Sequence, residues 1–373
     1  MAAAATTTDI PGTTTDDSAE PRPSVPGRVL RGLVLLLVAW VVIELPTNMG
    51  PDFLDEVSKA PIYAMVGLSL NILIGYTGQL SLGHQGFVGV GAFAAAYSAT
   101  EHGVPFALSV LIAVVFGAVG ALLLGLVALR IRGLYLALIT LVFGLTLEAS
   151  LFQVDAITQG GAGQQVERPA FLAGESGDQR FYWFCLAILA GIVYIDWRLT
   201  RTKTGRALFA LRENERVAAA FGINVTAFKL LAFVLSGAIA GLAGAMWSYD
   251  SSVANGADFN FFLALTFVLM TVVGGLNSRV GVIVGSTVFA LLDYALEHIA
   301  FLRNLMHDIF GANAQFAPRL IGAVLLLSTL ILNPGGIAQQ IRPITRWLGG
   351  GPFTFRHDHD TGVGAVEGSS VRA

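Results

Sequence analysis

The stretch GYTGQLSLGHQGFVGVGAFAAA, Gly75–Ala96, holds six glycines, and Gln79, Ser81, His84 and Gln85 interrupt an otherwise apolar run. So little bulk suits a backbone that another segment approaches closely. So few polar groups, set among apolar residues, suit a depth where water is scarce. What kind of depth this is depends on the chain around it.

That chain has 373 residues, 54% hydrophobic and 13% charged, about half the roughly 25% of charged residues in a soluble domain. So few charges cannot cover the surface of a soluble globule of this size. Several apolar runs reach the roughly 20 residues that span a bilayer. The composition therefore gives an all-α polytopic membrane protein. Nothing points to nucleic acid, because the basic residues do not interleave with aromatics on any platform. Cys185, in FYWFCLAILAGIVYI, is the single cysteine. It can form no intrachain disulfide and no cysteine-based metal site.

Ten apolar runs lie near 29–47, 60–76, 84–99, 105–128, 133–152, 181–197, 228–249, 261–276, 280–300 and 316–333. The expected organisation is a disordered tail over 1–28, a membrane domain over 29–334, and a largely disordered tail over 335–373. No small-residue cleavage site follows the first run, so Leu30–Leu45 reads as a retained signal anchor. With ten crossings and a cytoplasmic N-terminus, the cytoplasmic regions hold 17 Lys and Arg against 5 outside. That asymmetry places both termini in the cytoplasm. If 84–99 instead dips in and returns, the upstream segments flip and the ratio becomes 15 against 7. The count favours ten spans, with the segment around Gly75–Gly83 discontinuous or re-entrant.

The longest charged cytoplasmic segment is RLTRTKTGRALFALRENERVAAAFGINVTAFK, Arg198–Lys229. Thr204 is placed to cap a helix, and Ala207–Phe221 contains neither Pro nor Gly. Leu208, Leu211, Ala218 and Phe221 fall on one side of it, with Arg212, Glu213 and Arg216 largely elsewhere. Gly222 suits the left-handed position that ends a helix. Such an amphipathic helix rests on lipid headgroups or seats in a partner's groove. Glu213 and Glu215, interleaved with the arginines, favour the groove, since a lipid-surface helix carries mainly Lys and Arg on its polar face.

Within the opening stretch, Gly89–Ala94 formally fits G-x-G-x-x-A. A dinucleotide site needs a preceding strand and an acidic residue about 20 positions on, and neither is present. No G-x-x-x-x-G-K-[ST] occurs around Lys59, Lys203 or Lys229, so the chain lacks a Walker loop. What remains is a membrane reading. Gly83, Gly86 and Gly89 allow close backbone approach, and polar groups at membrane depth line a cavity or meet protein. A break at Gly75–Gly83 between two half-length apolar pieces is the pattern of a discontinuous helix beside a translocation site. His84 has no second metal ligand three or four residues away. The segment DAITQGGAG, Asp155–Gly163, reads as an outer loop or as backbone near a substrate entrance. Glu44 and Glu148 lie near outer ends. Asp293, Glu297 and His298 in the ninth run face a partner subunit or form a proton relay, the latter belonging to an ion-coupled secondary transporter.

Five blocks in one order carry a resemblance: GYTGQLSLGHQGFVGVGAFAAA, IRGLYLALITLVFG, TQGGAG, GRALFALRENERVAAAFGINVTAFKLLAFVLSGAIAGLAGAMW and VVGGLNSRVGVIVG. Together, over about Leu68 to Pro334, they resemble the branched-chain amino-acid ABC transporter permeases of the LivM type. The resemblance implies a bacterial inner-membrane subunit that binds no cofactor and is not itself an ATPase. It would pair with a second, related permease; two cytoplasmic ATP-binding subunits would hold ATP and Mg, and an extracytoplasmic binding protein would deliver cargo. Its blocks put the substrate-path candidates at Gly78, Gln79, Ser81, His84, Gln85, Gly86, Thr140, Gly160 and Gly161. They put ATPase coupling at Arg212, Glu213, Asn214, Glu215, Arg216 and Gly222. Two departures from the general pattern are visible. Six positions before Gly222 stands Arg216 and not Glu215, and Leu145 follows Gly144 with Glu148 a turn later. The expected cargo is a branched-chain amino acid, with urea or a short amide as the alternative.

Overall fold

The computed structural model describes residues 51–298 except 129, 130, 132, 160, 161 and 175, together with residues 40, 42, 44, 321, 324, 328 and 336–341. Most of the expected runs 29–47 and 316–333, the tail 1–28 and most of the tail 335–373 lie outside the described residues.

Helix α1, Pro51–Leu70, starts earlier than the apolar run 60–76 suggests. Pro51 sits where a helix has no use for an N–H. The acidic stretch GPDFLDEVSK is therefore helical from Pro51. Beyond Leu70 the helix widens into a π-helix over Asn71–Tyr76. It ends there, and Gly78 turns the chain at φ +69°, a conformation that glycine adopts without steric cost. Helix α2, His84–His102, then resumes after Gly83. The interruption thus covers 77–83, since Gly75 and Tyr76 remain helical.

Next come α3 (Phe106–Ala128), α4 (Leu134–Ala149), the single turn α5 (Asp155–Thr158), β1 (Gln164–Gln165), α6 (Gly177–Arg201), α7 (Lys203–Glu213), α8 (Glu215–Ala220), α9 (Val225–Ser251), β2 (Val253–Ala254), α10 (Phe261–Gly274), α11 (Arg279–Ala290) and α12 (Leu292–His298). The two short strands pair antiparallel, with Gln164 opposite Ala254. Five helices among the described residues are long and apolar enough to cross a membrane: Phe53–Tyr76, Phe106–Val127, Leu134–Gln153, Gly177–Arg201 and Val225–Ser251. The runs 84–99, 261–276 and 280–300 are helical but fall short of that measure. Composition limits α2, and α10 and α11 have only 14 and 12 residues. The run 280–300 is not continuous either, because the chain turns at Leu291 between α11 and α12. Part of the C-terminal tail is ordered as well: 336–341 is helical. Small residues allow this contact, since a Cβ on Gly281 would lie 2.6 Å from that of Ala338.

At the centre stands α9, packed on α3, α2 and α1. Its glycines explain how. A side chain on Gly237 or Gly241 would strike the backbone of α3 at Gly117 or Ala113, and one on Gly244 would strike the Val88 carbonyl of α2. Lipid supplies no hydrophobic drive between helices, so backbone-close packing of small residues holds the crossing. Aromatic and aliphatic side chains such as Phe87, Phe233, Phe267 and Met246 fill the space around it.

Candidate functional site

The interruption at 77–83 is walled by α4. A Cβ on Gly83 would overlap the Thr140 carbonyl, and one on Gly86 would lie 2.9 Å from the Leu147 side chain and 3.5 Å from the Gly144 Cα. Thr140 completes the join. Its hydroxyl accepts from the Leu82 N–H at 2.9 Å and donates to the Ala137 carbonyl at 2.8 Å. The Gly83, Gly86, Gly89 spacing therefore does what it suggests, since Gly89 in turn faces the rings of Phe152 and Phe259.

On the opposite side, His84 Nε2 and Ser69 Oγ are 2.6 Å apart. The Ser69 hydroxyl donates to the Val66 carbonyl at 2.8 Å. Ser69 thus meets both its own helix and the imidazole. Ser236 of α9 donates to the Ser69 carbonyl at 2.7 Å. One small network thus ties α1, α2 and α9 across the interruption.

Both amide atoms of Gln79 and of Gln85, Ser81 Oγ and His84 Nδ1 are buried without a hydrogen-bond partner among the described residues. A buried polar group left unpaired costs about 1–3 kcal/mol, and native structures hold few. Six such atoms within seven residues, none of them ionised, form a neutral donor and acceptor set suited to completion by a polar ligand or water.

The expected path residues divide. Gln79, Ser81, His84, Gln85, Gly86 and Thr140 come together at the interruption. Gly78 is exposed and lines a pocket of about 430 Å³ shared with Thr77, Arg212, Asn214 and Arg216. Gly160 and Gly161 lie outside the described residues.

The charged segment between α6 and α9 is two helices and not one. α7 begins at Lys203 after Thr202, so Thr204 is inside it and not its cap. It stops at Asn214, whose side-chain oxygen accepts from the N–H groups of Arg216 (3.0 Å) and Val217 (3.2 Å) and so starts α8. Asparagine is a favoured cap for this reason. Gly222 follows at φ +79°, as expected. Leu208, Leu211 and Ala218 are buried, but Phe221 is 83% exposed. The turn at Asn214 breaks the single helical face on which Phe221 was placed. Glu215 pairs with Lys229 of α9, which anchors α8 to the core. Arg212 reaches further: its Nη1 donates to the Gly75 carbonyl at 2.7 Å.

Two charged clusters went unread in the sequence. Near α7, Asp196 is 1% exposed; it pairs with Arg279 and accepts from the Tyr76 hydroxyl at 2.9 Å, while Arg279 also bonds Thr200. At the other end of α9, Arg168 donates to the carbonyls of Tyr249 (2.7 Å) and Asp250 (2.8 Å) and pairs with Asp178. It also stands 3.6 Å from the Asp250 carboxylate and 4.5 Å above the Phe181 ring. Asp196 carried a usable signal, being an acid within an apolar helix. Arg168 carried none, because its partners are as many as 82 positions away. The side chains of Asp293 and Glu297 lie outside the described residues.

Apolar crossing helices around a buried, neutral, unpaired polar set are the construction of a membrane transport protein. The chain belongs to the family described as branched-chain amino acid transport system / permease component, whose profile matches residues 53–329. It is 28% identical over 339 residues to the high-affinity branched-chain amino acid transport system permease protein LivM of Salmonella typhimurium, covering 84% of this chain and 75% of that one. The LivM protein of Escherichia coli is 29% identical with the same coverage. The galactose/methyl galactoside import permease protein MglC of Escherichia coli is 25% identical over 76% of this chain and 90% of its own length.

Proposed function

We propose that this chain is the membrane-spanning permease subunit of an ATP-driven ABC importer for branched-chain amino acids, and that cargo passes the interruption at 77–83. The supporting observation is the set of six unpaired polar atoms on Gln79, Ser81, His84 and Gln85. A zwitterion crossing a low-dielectric interior must exchange its hydration for fixed donors and acceptors. Neutral amides, a hydroxyl and an imidazole supply both kinds without trapping either charge. Phe87 and Phe143, with ring centroids 5.4 Å apart beside His84, give an apolar side chain a dry surface.

The remaining parts follow from the same reading. The chain has no Walker loop, so two cytoplasmic ATP-binding subunits supply the energy and receive Arg212–Gly222 in a groove. Phe221, standing clear of its own chain, is the apolar anchor for that groove. A second, related permease completes the path, a binding protein delivers cargo from outside, and both termini lie in the cytoplasm of a bacterial cell. Uptake of labelled leucine, isoleucine and valine into proteoliposomes holding the full complex, with and without ATP, tests this. Uptake of urea without leucine would overturn the cargo. Uptake without nucleotide would overturn the ATP-driven class in favour of an ion-coupled transporter.

A further inference from the structure

We propose that Arg212 is a positioning residue that transmits movement of the α7–α8 segment directly to the interrupted helix. This rests on the function proposed above and deepens it, because it joins the coupling segment to the polar set through one side chain.

The π-helix ends at Tyr76, so the carbonyls of its last turn must find donors outside a regular helix ladder. The amides of Gly78 and Gln79 turn back to the carbonyls of Ile74 (3.2 Å) and Leu73 (2.9 Å). The Gly75 carbonyl instead receives Arg212 Nη1 at 2.7 Å. A cation at a helix C-terminus is favoured by the helix dipole as well as by the bond itself. Contact continues along the side chain: a Cβ on Gly78 would lie 3.4 Å from Arg212 Cγ. Arg212 therefore touches both the last helical turn and the glycine at which the chain leaves the helix. Gln79, the first residue of the unpaired set, follows directly.

α7 is also packed well enough to move as a unit. Leu208 and Leu211 are buried, Phe209 meets the Tyr76 ring at 5.0 Å, and α8 is held by Glu215 and Lys229. The open pocket of about 430 Å³ lies where the segment meets the end of the helix, lined by Thr77 and Gly78 on one part and Leu211–Arg216 on the other. Movement of α7 by one hydrogen-bond length withdraws the guanidinium from Gly75 and frees the end of the helix beside Gln79.

The test uses the complete complex in proteoliposomes: permease pair, ATP-binding subunits and binding protein. Arg212→Ala and Arg212→Lys are compared with Arg206→Ala, an exposed arginine on the same helix. ATP hydrolysis and leucine uptake are measured in the same vesicles, and backbone amide exchange is followed across 75–85. In Arg212→Ala, hydrolysis stays within about twofold while leucine moved per ATP falls roughly tenfold, the scale of one charged hydrogen bond. Exchange at 77–79 rises, Arg212→Lys recovers part of the loss, and Arg206→Ala matches the parent. A parental uptake-to-hydrolysis ratio in Arg212→Ala overturns the proposal alone. Absence of nucleotide-dependent uptake by the parent overturns the proposed function and this proposal with it. Should Arg212→Ala not assemble, the ratio in Arg212→Lys decides, and a parental value there overturns the proposal.

Discussion

Arg168 and the Gln79–Gln85 stretch both concentrate polar atoms in an apolar protein, and they are built in opposite ways. Arg168 directs its donors at two carbonyls and a carboxylate, with a second carboxylate and an aromatic face close by. The glutamines, Ser81 and His84 Nδ1 are more deeply buried and find nothing among the described residues. A polar group matched in the folded chain holds elements together. One left unmatched lowers stability and is retained where something else completes it. The first cluster is a rivet, and the unpaired atoms of the second join no elements together.

The sharpest way to break this distinction is Arg168→Ala. It leaves the Asp250 carboxylate, with a side chain 4% exposed, without its cation, at a cost of about 3 kcal/mol. The expected result is a clear fall in unfolding temperature, with transport lost in proportion to folded protein. An unfolding temperature equal to the parent's would remove the rivet. Thr140→Val comes next, because it keeps the shape and takes the acceptor from the half-buried Leu82 N–H. A loss of about 1–2 kcal/mol is expected, with uptake reduced beyond what the lost protein explains. Gln85→Leu should change stability least, within about 0.5 kcal/mol or slightly upward, since it removes two unpaired atoms. Uptake should nonetheless fall roughly tenfold or more. If Gln85→Leu instead unfolds the protein and leaves the surviving fraction fully active, that amide is structural and the contrast fails.

The parts of this arrangement that are local are readable from the chain. Gly222 ends its helix because a left-handed residue is needed there. The crossing helices announce themselves by length and apolarity, and Gln79, Ser81, His84 and Gln85 stand out against their neighbours. What depends on distant partners is not readable. Gly78 and Arg212 were assigned to separate tasks, and only the fold brings Arg212 to Gly75, 137 positions away. The end of α7 at Asn214 was readable in principle, since asparagine competes with the helix for its own backbone amides. A face-by-face count of apolar residues hides that competition, and Phe221 was misplaced as a result. The π-helix at Asn71–Tyr76 has no local signature. Asn71, its first residue, accepts from the Asn277 N–H at 2.9 Å, and that partner is set by tertiary packing.

The brevity of α10 and α11 reaches beyond the protein. At about 1.5 Å per residue, their 14 and 12 residues rise roughly 21 and 18 Å, against a hydrocarbon thickness of about 30 Å. Helix α9, with 27 residues, has length to spare. Wherever the short pair meets lipid along its length, acyl chains beside it must compress or tilt at a fraction of a kcal/mol per ångström. Lipid chain length becomes a setting of this protein's energetics that no residue in it controls.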